Sequence, residues 1–309
     1  MEDYPRTLME LERRFSTDQA CRDYLFALRW PDGFVCPRCG GRQAWPTGRG
    51  LWLCGQCRHQ ASVTAGTIFQ DGRLSLTLWF RAMWYVTSQK NGVSALGVQR
   101  VLGLGSYQTA WAWLHKLRRA MVRPGRDRLA GTVEVDETYW GAEEEGVVGR
   151  QTQDKALVIV AAQQDGPRKI GRIRMGCIPD VTKATLHGFI AQNIEPGSVV
   201  RTDGLAAYRG LEGYQHDPVV VRGSGKTADE LLPRVHTVVA LVKRWLMGTH
   251  QGAVSHEHLA YYLDEYTFRF NRRNSASRGK LFYRLVQQAV QAEPHPYKSL
   301  IKPPPVGAG

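Results

Sequence analysis

Two carboxylates, an imidazole and a lysine are spaced along this chain as phosphodiester chemistry would need them. Asp136 lies in Thr132-Val-Glu-Val-Asp-Glu-Thr-Tyr139, where alternation puts Val133 and Val135 on one face of a strand and Glu134, Asp136 and Thr138 on the other. Asp203 follows the apolar run Val199-Val-Arg-Thr202, at a strand end where α/β sheets commonly place ligands. His236 and Lys243 lie seven residues apart in Val235-His-Thr-Val-Val-Ala-Leu-Val-Lys-Arg-Trp245. That step is nearly two helical turns, so both flank the stripe Val235, Val239, Val242 and Leu246, with small Ala240 between them. Cutting a phosphodiester calls for hard ligands holding two Mg²⁺ or Mn²⁺ ions about 3.5–4 Å apart. Asp136 is placed to bridge both ions, Asp203 to complete one site and His236 the other, with Lys243 on a substrate phosphate. A lone aspartate near a turn is more often a cap, so the spacing by itself leaves both readings open.

A second constellation is Cys36-Pro-Arg-Cys39 and Cys54-Gly-Gln-Cys57. Two CxxC steps across a hairpin-sized interval have the spacing of a structural Zn²⁺ site closed by four thiolates. Strands are expected at Gln43–Trp45 and Leu51–Leu53. Arg38, Arg42, Arg49, Arg58 and His59 surround this ribbon and are candidate phosphate contacts, while Cys21 and Cys177 read as small apolar residues.

These groups need elements to hold them. Residues 74–121 read as three helices, with Ser94 and Ser106 as N-caps and a Gly103-Leu-Gly105 break. In the last helix Ala110, Trp111, Leu114, Leu117 and Met121 form the expected core stripe. Tyr107, Gln108 and Thr109 would then face outward to base edges, and Lys116, Arg118 and Arg119 would meet phosphates. A helix-turn-helix and a plain three-helix bundle fit the pattern equally; the charge favours DNA. Residues 1–130 carry a net +10 and the rest +3, of +13 in all. A basic module joined to a nearly neutral body suits a polyanion partner, whereas a solvated face mixes both signs. Arg269, Arg272, Arg273, Arg278 and Lys280 form a further basic run, of which Arg272 and Arg273 are the chosen DNA contacts.

From residue 131 the pattern predicts strands at 131–139, 156–164, 168–177, 198–202 and 218–222. Helices are expected at 182–193, 205–211, 229–248 and 256–271, giving a mixed α/β sheet flanked by helices. The expected domains are a helical segment 1–30, a zinc ribbon 31–69, a helix-turn-helix 70–122, a catalytic domain 130–290 and a tail 291–309. The longest apolar run, Ala156–Ala162, is strand-sized, so no membrane span is expected; no secretory signal is visible, and a cytoplasmic setting, near the nucleoid of a prokaryote, is expected.

The ordered motifs from Gly33 to about Leu285 resemble the zinc-ribbon insertion-sequence transposases with an ISXO-like DDE domain. The matching segments are Phe34–Gly40, Thr64-Ala-Gly-Thr-Ile-Phe69, Val133–Gly141, Thr202-Asp-Gly204 with Tyr208, His236 to Arg244, and His256 to Arg272. The resemblance implies a ribonuclease-H-like catalytic domain, terminal inverted repeats and target DNA as partners, and strand cleavage followed by strand transfer. Two element ends must meet, so a homodimer or larger complex is expected. The sequence departs from the family twice. Its third metal position is usually Glu or Asn, and here is His236, with Glu230 as the alternative ligand. The loop Ala142-Glu-Glu-Glu-Gly146 is more acidic than the family's version. A catalytically dead, DNA-binding regulator descended from such an enzyme is the alternative reading.

Overall fold

The computed structural model describes residues 2–123, 125–141, 155–220 and 224–301. It divides into two units, Met1–Arg123 with Asn274–Lys302, and Pro124–Arg273 with Pro303–Gly309. The acidic loop at 142–146 lies outside the described residues.

In the first unit, α1 (Leu8–Arg14) and α2 (Asp18–Arg29) begin at Thr7 and Thr17, whose side chains accept the Glu10 and Ala20 amides. The helix α3 (Leu76–Ser88) is the most deeply buried: Trp79, Phe80, Met83 and Val86 all face inward. Phe15 meets Phe80 edge-on with centroids 4.7 Å apart, and Phe80 meets Phe282 at 5.6 Å. Phe282 belongs to α10 (Arg278–Ala289), so this C-terminal helix completes the first unit. A catalytic domain running to 290 is therefore corrected: the second unit closes at Arg273, because α10 buries Leu281, Phe282 and Leu285 in the helical unit.

Next come α4 (Ala95–Leu102) and α5 (Tyr107–Ala120). Gly103 ends α4 at φ 64°, a left-handed conformation that glycine adopts freely, and the chain then turns into α5. The buried tryptophan of α5 is Trp113, stacked 3.9 Å from Trp79, whereas Trp111 is half-buried. Two residues along a helix rotate the face by about 200°, so the expected stripe is corrected there. Helix α11 (Tyr297–Ile301) ends the described chain.

The ribbon's three strands are β1 (Ala44–Pro46), β2 (Trp52–Cys54) and β3 (Gln60–Ala61), antiparallel in that order. Phe26 stacks on Trp52 at 4.2 Å and Trp30 meets Phe34 at 5.0 Å. The ribbon core thus borrows apolar area from α2, and the expected boundary at residue 30 cuts through one cluster.

The second unit is built on a five-stranded sheet in the order β6-β5-β4-β7-β8. Its strands are β4 (Thr132–Trp140), β5 (Ala156–Gln164), β6 (Ile170–Ile178), β7 (Val199–Thr202) and β8 (Gln215–Pro218). β4, β5 and β6 form an antiparallel meander, while β7 and β8 run parallel to β4. One face packs Val133, Val135, Ile159 and Val200 against Leu186 and Ile190 of α6 (Lys183–Asn193). The other packs Val158, Val160, Ala162 and Ile173 against α8 (Pro233–His250) and α9 (Leu259–Phe270). Burial on both faces explains the near-continuous apolar run of β5. The outer strand β6 is covered by the end of α9: Asn271 accepts the Ile173 amide at 2.7 Å and donates to its carbonyl at 3.1 Å.

Among the expected elements that differ, the helix at 229–248 is two, Ala228–Leu231 and Pro233–His250, parted at Leu232. The strand at 218–222 is β8 at 215–218, where Arg201 of β7 pairs with Asp217 at 2.8 Å. The helix at 205–211 is a single 3₁₀ turn, Ala206–Tyr208.

Candidate active site and zinc centre

In the ribbon, each CxxC turn closes the same way. The Gly40 amide donates to the Cys36 carbonyl at 2.9 Å, and the Arg58 amide to the Cys54 carbonyl at 3.1 Å. Gly40 and Arg58 occupy equivalent places with φ of 75° and 58°. The two turns face each other, with Cys36 Sγ 3.7 Å from Cys57 Sγ and Cys39 Sγ 3.6 Å from Cys54 Sγ. All four sulfurs lie within 4.8 Å of one another. Zinc–thiolate bonds of about 2.3 Å in a tetrahedron require sulfur separations of about 3.8 Å, so the quartet fits Zn²⁺. Hydrogen bonds from the Cys57 and Gln56 amides favour the Cys54 thiolate, the form a metal needs. Stripping the metal with a chelator is expected to abolish the Phe26–Trp52 stack and unfold residues 34–61, because metal binding supplies the folding energy of so small a module. Tryptophan fluorescence during chelation, with near-native recovery on adding Zn²⁺, checks this; an unchanged spectrum in metal-free protein would refute it.

In the second unit, Asp136 is set by β4 and His236 by the first turn of α8. The Asp136 side chain is 15% exposed, with Oδ1 accepting the Glu137 amide at 2.9 Å. Oδ2 lies 3.3 Å from His236 Nε2. That nitrogen is buried, and its approach to Asp136 lacks hydrogen-bond geometry. The contact is an ion pair when the imidazole is protonated. The other ring nitrogen, Nδ1, is 3.1 Å from the exposed Asp229 carboxylate of α7 (Ala228–Leu231).

A buried carboxylate enforces this approach. Glu134, 1% exposed, accepts the Arg234 amide at 2.7 Å and the Val235 amide at 3.0 Å, and pairs with the Arg234 guanidinium at 2.7 Å. An acid two residues before Asp136 on the same strand face therefore caps α8 and places His236. Sequence reasoning put Glu134 on the correct face but gave it no work. Its signal was an acid at a core position of an otherwise valine-rich strand.

Asp203 lies just past the end of β7, the parallel neighbour of β4, whose register pairs Glu134 with Arg201. Asp203 Oδ1 accepts the Leu205 amide at 3.0 Å, and Gly204 turns at φ 81°. Below the turn, buried Thr202 bonds His216 Nε2 at 3.0 Å. Tyr208, fully buried, donates a short hydrogen bond to Glu137. Burial first, then the charges of Glu137, Asp136 and Asp203, push its phenol well above the usual range, so it stays a donor. The structure thus brings Asp136 and His236 to 3.3 Å, while the charges of both Asp136 and Asp203 reach the Tyr208 phenol. Among the described residues, the cysteine quartet is the one group of three or more ligand atoms closed within 4.8 Å; Asp136, Asp203 and His236 do not close to that degree.

Glu230 is engaged elsewhere. Its carboxylate accepts the Thr227 amide at 2.7 Å in a capping box that starts α7, and that bond lowers its pKa. Lys243, half-buried on α8, has its ammonium pushed down by burial and then by the charge of Lys155.

Of the expected DNA contacts, Tyr107, Gln108 and Arg119 are exposed on α5, and Thr109 and Lys116 are half-buried. Arg118 is a correction: it is 2% exposed beside fully buried His115, so it cannot reach a phosphate. Arg273 bonds the Ile170 and Gly171 carbonyls, and Arg272 lies 4.0 Å over the Phe268 ring. Both thereby brace the end of α9. Arg269 pairs with buried Glu265 at 2.7 Å.

Comparison with known proteins gives two family matches. Residues 16–60 match the transposase zinc-ribbon domain, and residues 128–271 match the ISXO2-like transposase domain. A protein described as uncharacterized, in the transposable element ISH50 of Halobacterium salinarum, is 26% identical over 284 residues, covering 83% of this chain and 92% of that one.

Proposed function

The chain belongs to the zinc-ribbon, ISXO2-like transposases, and from that premise we propose that it binds the terminal inverted repeats of its own insertion sequence and catalyses metal-dependent DNA cleavage and strand transfer. The observation that carries this reading is the approach of His236 to Asp136 at 3.3 Å, with Asp203 just past the end of β7, the parallel neighbour of β4.

The sheet order, with a three-strand meander, two parallel strands and helices on both faces, supports a ribonuclease-H-like fold for the second unit. Asp136, Asp203 and His236 would hold Mg²⁺ or Mn²⁺ ions, which supply charge neutralisation at the attacking and leaving oxygens. His236 is preferred to Glu230 because the latter's carboxylate is bound into its own cap. Asp136 orients from a strand fixed on both sides, and Asp203 from a turn locked by the Leu205 amide. Such groups repel each other as bare carboxylates, so a cation is what would draw them closer. Water attack at the element end frees a 3′-OH, which then attacks the target phosphodiester in line. Lys243 stands two turns along α8 from His236, placed to bind a substrate phosphate.

In the first unit, α4 and α5 with their Gly103 turn support a helix-turn-helix, presenting Tyr107, Gln108 and Thr109 to base edges and Lys116 and Arg119 to phosphates. Joining two ends in one complex calls for at least two copies. No helix among the described residues is long and apolar enough to cross a membrane.

The test incubates the zinc-loaded protein with labelled duplexes of its element ends and Mg²⁺ or Mn²⁺. Nicked and joined products are expected only with the cation. Specific binding without any cutting would instead identify a regulator descended from a transposase.

A further inference from the structure

The two faces of the ribbon sheet differ in kind. On one, Ala44, Trp52, Cys54 and Ala61 turn toward α2 and form the cluster that holds the ribbon. The alternate residues line the other face. Trp45 pairs with Leu53, and Leu53 with Gln60, so these three make one row across β1, β2 and β3. Trp45 is 55% exposed, Leu53 is half-buried and Gln60 is exposed. Of the nine tryptophans in the chain, Trp45 alone is exposed. It fills no core, because the core lies on the opposite face.

The indole is nevertheless held in place. Its benzo ring rests against Gly55, where a Cβ would lie 3.0 Å from both Cη2 and Cζ3 of Trp45 and 3.4 Å from Gln43 Cβ. The Gly55 amide donates to the Gln43 carbonyl at 2.8 Å. Glycine in the second CxxC turn thus leaves room for the ring, anchored to the turn that carries Cys54 and Cys57.

The charge around this face has one sign. From Gly33 to Ala61 the chain holds Arg38, Arg42, Arg49 and Arg58 and no acidic residue. All four arginines are exposed, and among the described residues no ion pair or hydrogen bond engages their side chains. Arg49 lies on the turn before β2 and Arg58 on the turn after it. An open indole on an acid-free basic surface matches a ligand that is polyanionic and carries flat rings, which is a nucleic acid. A duplex offers its grooves only base edges. A ring face presented by a sheet is matched by a base whose own face is free, in an unpaired strand.

We propose that the outer face of the ribbon sheet binds unpaired DNA, with Trp45 as the platform for one stacked base and Arg49 and Arg58 as counter-charges for the flanking phosphates. This deepens the reading in which DNA is the substrate, and rests on it. Cutting at an element end leaves a strand terminus that can unpair, and the ribbon would hold that terminus while α5 reads base edges in the duplex.

The test compares two probes. The zinc-loaded, full-length protein is titrated with a fluorescein-labelled oligothymidylate and with a blunt duplex, without added divalent cations. Trp45→Ala is expected to weaken oligothymidylate binding by about 5- to 150-fold, the range for losing one stacked base. Trp45→Phe should keep most of the affinity, and both variants should keep their zinc and their affinity for the blunt duplex. Arg49→Gln should lower the slope of log affinity against log salt for the single strand by about 0.7. A second reading needs no variant: irradiating wild type with a strand that carries 5-iodouracil should cross-link Trp45, located by mass spectrometry. Unchanged oligothymidylate affinity in Trp45→Ala, equal losses on both probes, or cross-links only at other residues would overturn the platform. Loss of self-association in Trp45→Ala with DNA binding intact would also overturn it, and assign the face to a second copy of the chain. A protein that binds the single strand through Trp45 yet never cuts would defeat the transposase reading and leave the platform standing. One that cuts, with single-strand affinity indifferent to Trp45, would do the reverse.

Discussion

Replacing Glu134 by alanine is expected to destabilise the second unit by about 3–5 kcal/mol, the usual consequence of breaking a buried ion pair by removing one partner. The carboxylate is 1% exposed and satisfies the Arg234 guanidinium and the amides of Arg234 and Val235. Its loss leaves the Arg234 guanidinium without its counter-charge, though still bonded to the Pro167 carbonyl at 2.7 Å, and two helix-end N–H groups without acceptors, each a separate penalty. Glu134→Gln keeps an acceptor of the same shape and should lose about 1–3 kcal/mol, mainly the charge-assisted share. Amide exchange in α8 is the suitable readout, because it follows this helix without assuming that both units unfold together. Protection should fall first around Val235–Val238 in Glu134→Ala. A loss under about 1 kcal/mol would mean that α8 is held by its apolar stripe alone, and that His236 needs no help from β4.

That coupling marks the limit of what the sequence could reveal. The cysteine quartet was legible because both halves of the site are local turns, each fixed by three residues. The meander was legible because Val133, Val135 and the run from Val158 to Ala162 have the period and length of strands. The long-range partners were not. Nothing local says that Phe282 must meet Phe80 and Phe15, so α10 was assigned to the wrong unit. Arg118 read as exposed since arginine usually is, and only the packing around His115 buries it. The outer strand β8 was displaced by the apolar residues after Pro218. An edge strand can be polar, and here Arg201 and Asp217 pair across the ladder. At the site, the residue types and the seven-residue step to Lys243 were readable. The buried acid that aims His236 was not, because capping across one hundred residues leaves no periodic trace.

The largest effect on activity is expected from Asp136→Asn and Asp203→Asn. Asparagine preserves the local hydrogen bonds: Asp136 Oδ1 accepts the Glu137 amide and Asp203 Oδ1 the Leu205 amide, and an amide oxygen does both. What changes is the charge available to a divalent cation. Transition-state stabilisation of several kcal/mol should go with it, a loss of about 10³-fold or more in cleavage rate. Stability should not fall by more than about 0.5 kcal/mol, since removing one of two neighbouring negative charges relieves repulsion. DNA affinity without divalent cations should persist or rise. His236→Glu completes the set by changing the donor and not the position. A carboxylate is a harder ligand than imidazole, so cutting in Mg²⁺ relative to Mn²⁺ should increase. Robust cutting by both asparagine variants would place the chemistry elsewhere, and an unchanged metal preference in His236→Glu would remove His236 from the cation site.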